Sequence, residues 1–298
     1  MDAKPFVKWA GGKGGLLKTL DQMLPPNFHD MNDITYIEPF VGGGAMLFHM
    51  LTKYKNIKKA VINDINPDLI HCYRLIRTNP QTLIERLRIL EEAYFRAELS
   101  RRDDIYYGYR DQFNTECINT DERAALFIFL NRTCFNGLYR VNTSGKFNVP
   151  TGKYKHPIIC NEELIMVNHK LLNNIDLVIL QPGDYKKIAC RISTKRPNFI
   201  YFDPPYRPIT ETSNNFKDYS ASPFGDAQQE ELKEFCDKMH DRGCLFMLSN
   251  SDSKNNLGES YFERLYHNYH FHRISAPRYI NAYARKGLRL TEVVIRNY

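Results

Sequence analysis

The stretch FDPPY, residues 202–206, places a carboxylate, two prolines and a tyrosine directly after an apolar run. Asp203 can accept a hydrogen bond from an amino group. Because proline locks φ, Pro204 and Pro205 hold the turn rigid, and the Pro204 carbonyl becomes a second acceptor for the same amine. Tyr206 offers a flat ring on which a planar base can stack. These residues predict a clamp for an exocyclic amine on a base, and an ordinary loop is the alternative.

Three consecutive glycines lie in EPFVGGGAM, residues 38–46, between a predicted strand and a predicted helix. Glycine lets the backbone approach a ligand closely, and the N-terminus of a helix offers unpaired N–H groups. Phe40 and the glycines are therefore candidates for binding a cofactor. The pattern is neither the G-x-G-x-x-G fingerprint nor a P-loop, and a purely structural turn is the alternative.

Two further positions suit a cofactor. Asp64 ends the next predicted strand, about twenty residues after the glycines, where an acid can accept hydrogen bonds from ribose hydroxyls. A lone aspartate at a strand end is more often a turn former or a cap. The stretch FVKWAGGKGG, residues 6–15, is either a lid over the cofactor with Lys13 near its carboxylate, or a helix-entry loop in which Trp9 anchors the core.

Strand and helix patterns alternate along much of the chain, which predicts parallel α/β winding. Apolar runs predict strands at residues 35–40, 58–66, 175–184, 198–203, 243–250, 269–274 and 291–298. Residues 67–95 are predicted to be helical, with Pro67 and Pro80 at helix starts. A further helix is predicted at residues 226–243, with Asp226 as its N-cap and Gly243 at its end.

The alternation is interrupted between about residues 70 and 160. Residues 121–135 predict a helix, and residues 136–157, rich in Asn, Gly, Pro, Tyr, Arg and Lys, predict a short hairpin or a long loop. We therefore predict a discontinuous α/β domain formed by residues 1–70 and 160–298. A mainly helical insertion, residues 71–159, splits it and carries a basic, aromatic loop.

The composition is that of a soluble globular protein, with 43% hydrophobic and 25% charged residues in a chain of 298. The net charge of +7 raises the expectation of a nucleic-acid partner. Seven cysteines without a CxxC or Cys/His cluster argue against a disulfide framework and a zinc site, so no metal is expected. We found neither an apolar run of roughly 18 residues nor a signal peptide, and we expect a cytoplasmic protein without a membrane partner.

The chain resembles the Dam-type, alpha-class DNA N6-adenine methyltransferases over nearly its whole length. The motifs that carry the resemblance are, in the family's order, FVKWAGGK, EPFVGGGA, NDIN, NRTCFNGLYRVN, GKFNVPTGKY and YFDPPY. The resemblance implies a Rossmann-like catalytic domain and a helical DNA-recognition insertion. It also implies S-adenosylmethionine as methyl donor, S-adenosylhomocysteine as product, and methylation of a flipped-out adenine, within GATC, in double-stranded DNA.

The resemblance assigns roles residue by residue. Residues that match its cofactor-binding positions are Trp9, Gly11, Lys13, Phe40, Gly42, Gly43, Gly44, Asp64, Asp184 and Asp203. Residues that match its catalytic tetrad are Asp203, Pro204, Pro205 and Tyr206. Residues that match its DNA-contacting positions are Lys8, Phe135, Asn136, Leu138, Arg140, Pro150 and Tyr154.

Four of the DNA-contacting positions have specific expectations. Phe135 stands where the family inserts an aromatic ring beside the target, and many relatives carry tyrosine there, so this chain keeps the stacking face without the hydroxyl. We expect Arg140 to bind the O6 and N7 acceptors of a guanine, with Lys8 and Tyr154 at the other end of the site. A basic cluster near the C-terminus, Arg278, Arg285, Lys286 and Arg289, either contacts DNA or is solvated surface.

Two other functions remain as alternatives. The first is methylation of an RNA base or a protein amide by a related motif, which the long recognition insertion disfavours. The second is a DNA-binding regulator with a catalytically dead methyltransferase fold, against which the intact Asp203, Tyr206, Asp64 and glycine turn argue. The sequence leaves open a restriction-modification, orphan or viral role. A monomer acting on DNA is compatible with it, but the oligomeric state is not determined.

Overall fold

The structure of the protein is a computed structural model that describes residues 1–115, 120–207, 224–254, 259–277 and 289–298, without the side chains of residues 276, 277, 289 and 290. The described residues form a seven-stranded sheet. Its strands in chain order are β1 (Ile34–Glu38), β2 (Ile57–Ile62), β3 (Asp176–Ile179), β4 (Asn198–Phe202), β5 (Leu245–Ser251), β6 (His270–Pro277) and β7 (Arg289–Arg296).

The strands lie side by side in the order β3-β2-β1-β4-β5-β7-β6. The first five are parallel, and β7 runs antiparallel between β5 and β6. Strands β1 and β4 are buried along their whole length because both faces of a parallel sheet are covered. The predicted α/β, Rossmann-like architecture is confirmed. The loops after β1, β2 and β4, which hold the glycines, Asp64 and Asp203, meet at the carboxyl edge of the sheet.

Helices cover the sheet and form the segment between α3 and α7. The α-helices of the described residues are α1 (Leu17–Gln22), α2 (Ala45–Lys53), α3 (Pro67–Thr78), α4 (Pro80–Arg96), α5 (Arg102–Phe113), α6 (Thr120–Thr133), α7 (Glu162–Asn173), α8 (Asp226–Asp241) and α9 (Tyr261–Leu265). Pro67 and Pro80 are the first residues of α3 and α4, as predicted, because the first turn needs no N–H donor there.

The predicted N-cap of α8 was wrong by one residue. Gly225 is the N-cap, and its N–H donates to Gln228 Oε1 at 2.9 Å. The Asp226 carboxylate instead accepts from Arg207 Nε at 2.7 Å, so it does not turn back onto the helix. Gly243 follows the helix with φ +74, as expected for a residue that ends a helix in the left-handed conformation.

Side chains that alternate along the strands build two hydrophobic cores. Tyr36 and Phe199 belong to the core beneath α2, α3 and α7, whereas Ile37 and Ile200 belong to the core beneath α8 and α9. The first core continues without a break into α4, α5 and α6. The inserted helices are therefore packed onto the sheet domain and share its core.

The segment after α6 forms a hairpin, the first of the two predicted possibilities. Antiparallel bridges join Cys134 to Thr151 and Val141 to Phe147. The bridges are isolated, so the two arms do not form a continuous ladder. A hydrogen bond from the Gly145 N–H to the Asn142 carbonyl closes the tip of what we call the recognition hairpin, residues 134–154.

No α-helix among the described residues is long and apolar enough to cross a membrane. Arg278, Arg285 and Lys286 of the basic cluster lie outside the described residues, as does the side chain of Arg289.

The first testable prediction concerns Gly44, the N-cap of α2. It has φ +78, and a Cβ there would lie 2.3 Å from the hydroxyl of Tyr73. We expect Gly44→Ala to lower the free energy of unfolding by roughly 2–5 kcal/mol, the sum of left-handed strain and overpacking. Gly145→Ala is the matched control, because Gly145 has φ +73 but a Cβ there would meet no atom of the described chain within 4 Å. Equal losses in urea unfolding would contradict the steric argument.

Candidate active site

Lys13 is the group around which the FDPPY stretch is arranged. It lies in a short 3₁₀-helix, Lys13–Gly15, and its side chain is only 3% exposed. Its Nζ lies 3.0 Å from Asp203 Oδ1 and 3.8 Å from Glu292 Oε2, and it donates to the Gly11 carbonyl at 2.9 Å. A buried ammonium requires such partners, since an unpaired buried charge costs several kcal/mol. Two motifs far apart in the sequence therefore meet at one ion pair.

The Tyr206 ring also contacts the Lys13 ammonium. The Lys13 Nζ lies 4.3 Å from the centre of the Tyr206 ring. The Tyr206 hydroxyl donates to Glu292 Oε2 at 2.7 Å, which fixes the direction of the ring. The Asp203 carboxylate and the face of the Tyr206 ring thus both contact Lys13 Nζ.

Two buried side-chain amides form hydrogen bonds with the backbone of the turn that contains Pro204 and Pro205. Gln229 Nε2 donates to the Pro205 carbonyl at 3.1 Å, and Gln229 Oε1 accepts from Asn250 at 3.2 Å. Both amide side chains are fully buried. Asn250 Oδ1 also accepts from the N–H of Arg207 at 3.1 Å. Within the described part of the chain no donor bonds the Pro204 carbonyl, so this carbonyl can serve as an acceptor at the site.

The glycine turn after β1 packs closely against Trp9. A Cβ on Gly42 would lie 2.7 Å from the Trp9 ring, and one on Gly43 would lie 3.1 Å from the Trp9 Cβ. Tyr73 donates to the Gly42 carbonyl at 2.9 Å and holds the turn from the other side. Trp9 is half-buried and stacks on Tyr139 with ring centres 5.8 Å apart. Trp9 therefore covers the turn and also anchors the core.

Asp64 closes the turn between β2 and α3. It is 9% exposed, and its two oxygens accept from the N–H groups of Gly42 at 3.0 Å and Asn66 at 2.9 Å. Burial raises the pKa of Asp64, while these backbone donors oppose that rise. The carboxylate is thus a turn former, which was the alternative interpretation. Each oxygen keeps a further lone pair, so binding of ribose hydroxyls stays a prediction.

Asp184 and Phe40 lie on neighbouring loops at the same edge of the sheet. Asp184 caps the 3₁₀-helix Tyr185–Arg191 through a bond of 2.7 Å from a backbone N–H, and its side chain is 53% exposed. Phe40 packs on Tyr185 with ring centres 5.1 Å apart. Ile65, which follows the β2 turn, is an exposed apolar side chain that the sequence analysis did not single out.

Most residues that matched DNA-contacting positions gather at the base of the recognition hairpin. The N–H of Phe135 donates to the Pro150 carbonyl at 2.8 Å, and the N–H of Asn136 donates to the Tyr154 hydroxyl at 3.1 Å. Lys8, from the N-terminal segment, has its Nζ 4.9 Å from the centre of the Tyr154 ring. The Phe135 side chain is 42% exposed, so its ring is available for stacking.

Arg140 and Leu138 lie further along the same hairpin. Arg140 Nε donates to Asn148 Oδ1 at 2.8 Å, and the N–H of Asn148 donates to the Arg140 carbonyl at 3.1 Å. Asn148 therefore orients the guanidinium, whose two terminal nitrogens have no partner among the described residues. Leu138 is half-buried and packs against the core.

Asn131, near the end of α6, ties the N-terminal segment to the hairpin. Its Oδ1 accepts from the Lys8 N–H at 2.8 Å, and its Nδ2 donates to the carbonyls of Lys8 at 2.8 Å and Gly137 at 3.0 Å. The side chain is 2% exposed. The position of Lys8 relative to the hairpin is thus set by one buried amide.

The family model of the D12 class of N6 adenine-specific DNA methyltransferases matches residues 9–280 of this chain. The chain belongs to this family. It is therefore an N6 adenine-specific DNA methyltransferase, as the resemblance implied. The matched range contains the glycine turn, the recognition hairpin and FDPPY, whereas Lys8 and Glu292 lie just outside it.

Individual relatives resemble the methyltransferase along its whole length. The type II methyltransferase M.MjaIII of Methanocaldococcus jannaschii is 41% identical over 301 residues, which cover 100% of both chains. The type II methyltransferase M1.LlaDCHI of Lactococcus lactis subsp. cremoris is 36% identical, with 100% of this chain and 96% of the relative covered. The DNA adenine methylase of Haemophilus influenzae is 31% identical, with 98% and 92% covered.

Sequence reasoning missed several residues of the methyltransferase site. Glu292, Gln229 and Asn250 contact the FDPPY turn or its partners. A signal existed for two of them, because Glu292 and Asn250 are polar residues inside apolar strand patterns. No group of three or more His, Cys, Asp or Glu side chains that could hold a metal ion occurs in the described residues.

Asp203 has an electrostatic environment unlike that of an ordinary surface aspartate. Burial raises the pKa of Asp203 to about 6, Lys13 beside it opposes the rise, and the Glu292 charge adds to it. The folded-state pKa lies above the ordinary value of 3.8, so this group's contribution to stability is present at low pH and is lost as the pH rises through about 6. Protonation of Asp203 on acidification to about pH 5 therefore does not destabilise the folded protein.

The second prediction follows from this pKa. Only the ionised carboxylate of Asp203 is a full acceptor for an amine, so kcat/KM for DNA, which reports the free enzyme, should fall about tenfold per pH unit below about pH 6 and level off above it. The rate is measured with subsaturating DNA and saturating methyl donor, and with circular dichroism to verify that the fold persists. A rate that stays constant down to about pH 5 would contradict the assignment.

Proposed function

We propose that the methyltransferase transfers a methyl group from S-adenosylmethionine to N6 of an adenine that has flipped out of double-stranded DNA, within the sequence GATC. The observation that supports this proposal is the clamp around one nitrogen. Asp203 Oδ1 and the Tyr206 ring lie 3.0 Å and 4.3 Å from the Lys13 ammonium, the distances at which they could hold the amine of a stacked base. The Pro204 carbonyl supplies the second acceptor.

The residues at the carboxyl edge of the sheet fit the methyl donor. The glycine turn is buried against Trp9, which lies within 3.1 Å of the position of a Gly43 Cβ, and the family resemblance assigns this turn to the methyl donor. Asp64 would accept from ribose hydroxyls with its remaining lone pairs, and Phe40 and Ile65 would provide apolar walls. When bound, S-adenosylmethionine would supply a methyl group activated by its sulfonium and would leave as S-adenosylhomocysteine, and the extra proton on N6 would leave after the transfer.

The chemistry required of the protein is orientation and charge stabilisation. Adenine N6 is a poor nucleophile because its lone pair is delocalised into the ring. Hydrogen bonds from N6 to Asp203 and to the Pro204 carbonyl favour a tetrahedral nitrogen and stabilise its growing positive charge. Holding the amine in line with the methyl group provides much of the rate enhancement. A carboxylate accepts several hydrogen bonds, so Asp203 can accept from the target amine while Lys13 stays paired with its Oδ1.

The helical segment of residues 71–159 would serve as the DNA-recognition part of the methyltransferase. The adenine must leave the stack to reach Asp203, and unstacking costs a few kcal/mol. The exposed Phe135 ring could insert into the gap and offset part of this cost. Lys8, Asn136 and Tyr154 would contact the DNA beside it.

The GATC specificity is supported by the similarity of the recognition hairpin to the Dam-type motifs. Two relatives bear the name type II methyltransferase, which favours a place in a restriction-modification system. The test is to methylate plasmid DNA with the purified protein and to digest it with nucleases that distinguish methylated from unmethylated GATC. Protection with added S-adenosylmethionine, and none without it, is the expected result. Incorporation of labelled methyl groups into DNA without protection would contradict the GATC specificity. Incorporation only into RNA would contradict DNA as the substrate.

The third prediction tests the clamp. We expect Asp203→Ala to lower the single-turnover rate by roughly a hundredfold or more, because a transition-state acceptor is lost. Affinity for S-adenosylmethionine, measured by calorimetry, should stay within about threefold of wild type. Asp176→Ala is the control, since Asp176 lies at the far end of the sheet on β3 with an exposed side chain. An Asp203→Ala rate within about tenfold of wild type would exclude the clamp.

The fourth prediction concerns specificity at Arg140. If its guanidinium, oriented by Asn148, binds a guanine, Arg140→Ala should relax the preference at one base pair by about 1–3 kcal/mol. Rates are compared on GATC and on each single-substitution neighbour. Lys146→Ala, at the exposed tip of the same hairpin, is the control and should slow methylation of all sites alike. A uniform loss in Arg140→Ala would instead make Arg140 a phosphate contact.

A further inference from the structure

We propose that Glu292 is a positioning residue for methyl transfer, whose carboxylate holds both the Tyr206 ring and the Lys13 ammonium in place beside Asp203. The inference rests on the proposed role of Asp203 and Tyr206 as the amine clamp. Glu292 itself would not touch the adenine. It lies outside the range that the family model matches.

The topology of the sheet explains how a residue near the C-terminus reaches the site. The parallel strands β4 and β5 end at the carboxyl edge, where Asp203 lies. Strand β7 runs in the opposite direction, so it begins at that edge. Glu292 stands near the start of β7 and is paired with Ser251 at the end of β5. Only an antiparallel strand brings its first residues to the catalytic edge, and β7 lies beside β5 there.

The contacts of Glu292 join the two partners of the clamp. Its Oε2 accepts the hydroxyl proton of Tyr206 at 2.7 Å and lies 3.8 Å from Lys13 Nζ. The Glu292 side chain is 19% exposed, and that of Lys13 is 3% exposed, so water screens this interaction weakly. The hydrogen bond restricts rotation of the Tyr206 ring, which must face the base. The negative charge gives Lys13 a second carboxylate besides Asp203.

A purely structural glutamate would stabilise β7 without changing the chemistry. The two roles predict different rates of methyl transfer in the variants when donor and DNA are both saturating. If Glu292 acts through the Tyr206 hydroxyl, then removing either end of the bond should have the same consequence, and removing both should cost little more. If it serves only the fold, the effects should be independent.

The charge of Glu292 provides a second readout. The titratable groups that face Asp203 from the elements around it are Lys13 from the N-terminal 3₁₀-helix, Tyr36 and Glu38 from β1, Tyr201 from β4, Tyr206 from the turn and Glu292 from β7. Glu292 is negative and raises the pKa of Asp203. Its neutralisation should therefore shift the acid limb of the rate profile to lower pH, which a loss of strand stability alone would not do.

The experiment is a double-mutant cycle on the full-length methyltransferase with mixed-sequence duplex DNA, so it does not depend on GATC. The variants are Glu292→Gln, Tyr206→Phe and both together, and single-turnover rates are measured with saturating DNA and S-adenosylmethionine. Glu263→Gln is the matched control, because it removes a glutamate charge from an ion pair with Arg273 elsewhere. We expect each single variant to be slowed about tenfold, the double variant to lie within about threefold of the slower single, and the control to match wild type.

The outcomes separate this inference from the proposed function. If Asp203→Ala abolishes activity while Glu292→Gln retains the wild-type rate and acid limb, only the positioning role is wrong. If the two single effects multiply in the double variant, Glu292 does not act through Tyr206 and the inference is overturned. If Asp203→Ala is fully active, the clamp itself fails. Should Glu292→Gln not fold, Tyr206→Phe removes the same hydrogen bond with the Glu292–Lys13 pair intact, and a wild-type rate there also overturns the inference.

Discussion

A buried ammonium must be matched by carboxylates and hydrogen-bond acceptors, and Lys13 meets this requirement with groups from separate parts of the chain. Its partners are Gly11 in the N-terminal segment, Asp203 after β4 and Glu292 on β7. The order of the strands makes this possible, because β4, β5 and β7 are neighbours, and Asp203 and Glu292 lie at the same edge of the sheet. The FDPPY turn is thus held by the ion pair between Asp203 and Lys13 and by hydrogen bonds with the buried side-chain amides of Gln229 and Asn250.

The N-terminal segment links the three parts of the site. Lys8 contacts Tyr154 of the recognition hairpin, Trp9 packs on the glycine turn, and Lys13 pairs with Asp203. These residues lie within one short stretch, so a displacement of one of them is passed to the others through the backbone.

Several polar groups of the candidate site hold its backbone and side chains in place. Asp64 closes its own turn by accepting two backbone N–H groups, and each of its oxygens keeps a further lone pair. Arg140 is oriented by Asn148, and Asn131 fixes the backbone of Lys8. Such bonds fix the atoms of the candidate site before a ligand binds, which lowers the entropy lost on binding.

The sequence by itself determined the fold class and the principal elements, because periodic apolar runs, helix-start prolines and the glycine turn are local signals. It also predicted FDPPY as the catalytic stretch, because that prediction depends only on residues adjacent in the chain. Strand order, the hairpin and the N-cap of α8 required the structure, as the Gly225 cap depends on where Arg207 draws the Asp226 carboxylate. Tertiary structure alone decided that Lys13, Asp203 and Glu292 share one site. The physical reason is that an antiparallel strand brings a carboxylate from the end of the chain to the edge where parallel strands end, and no local pattern encodes that meeting.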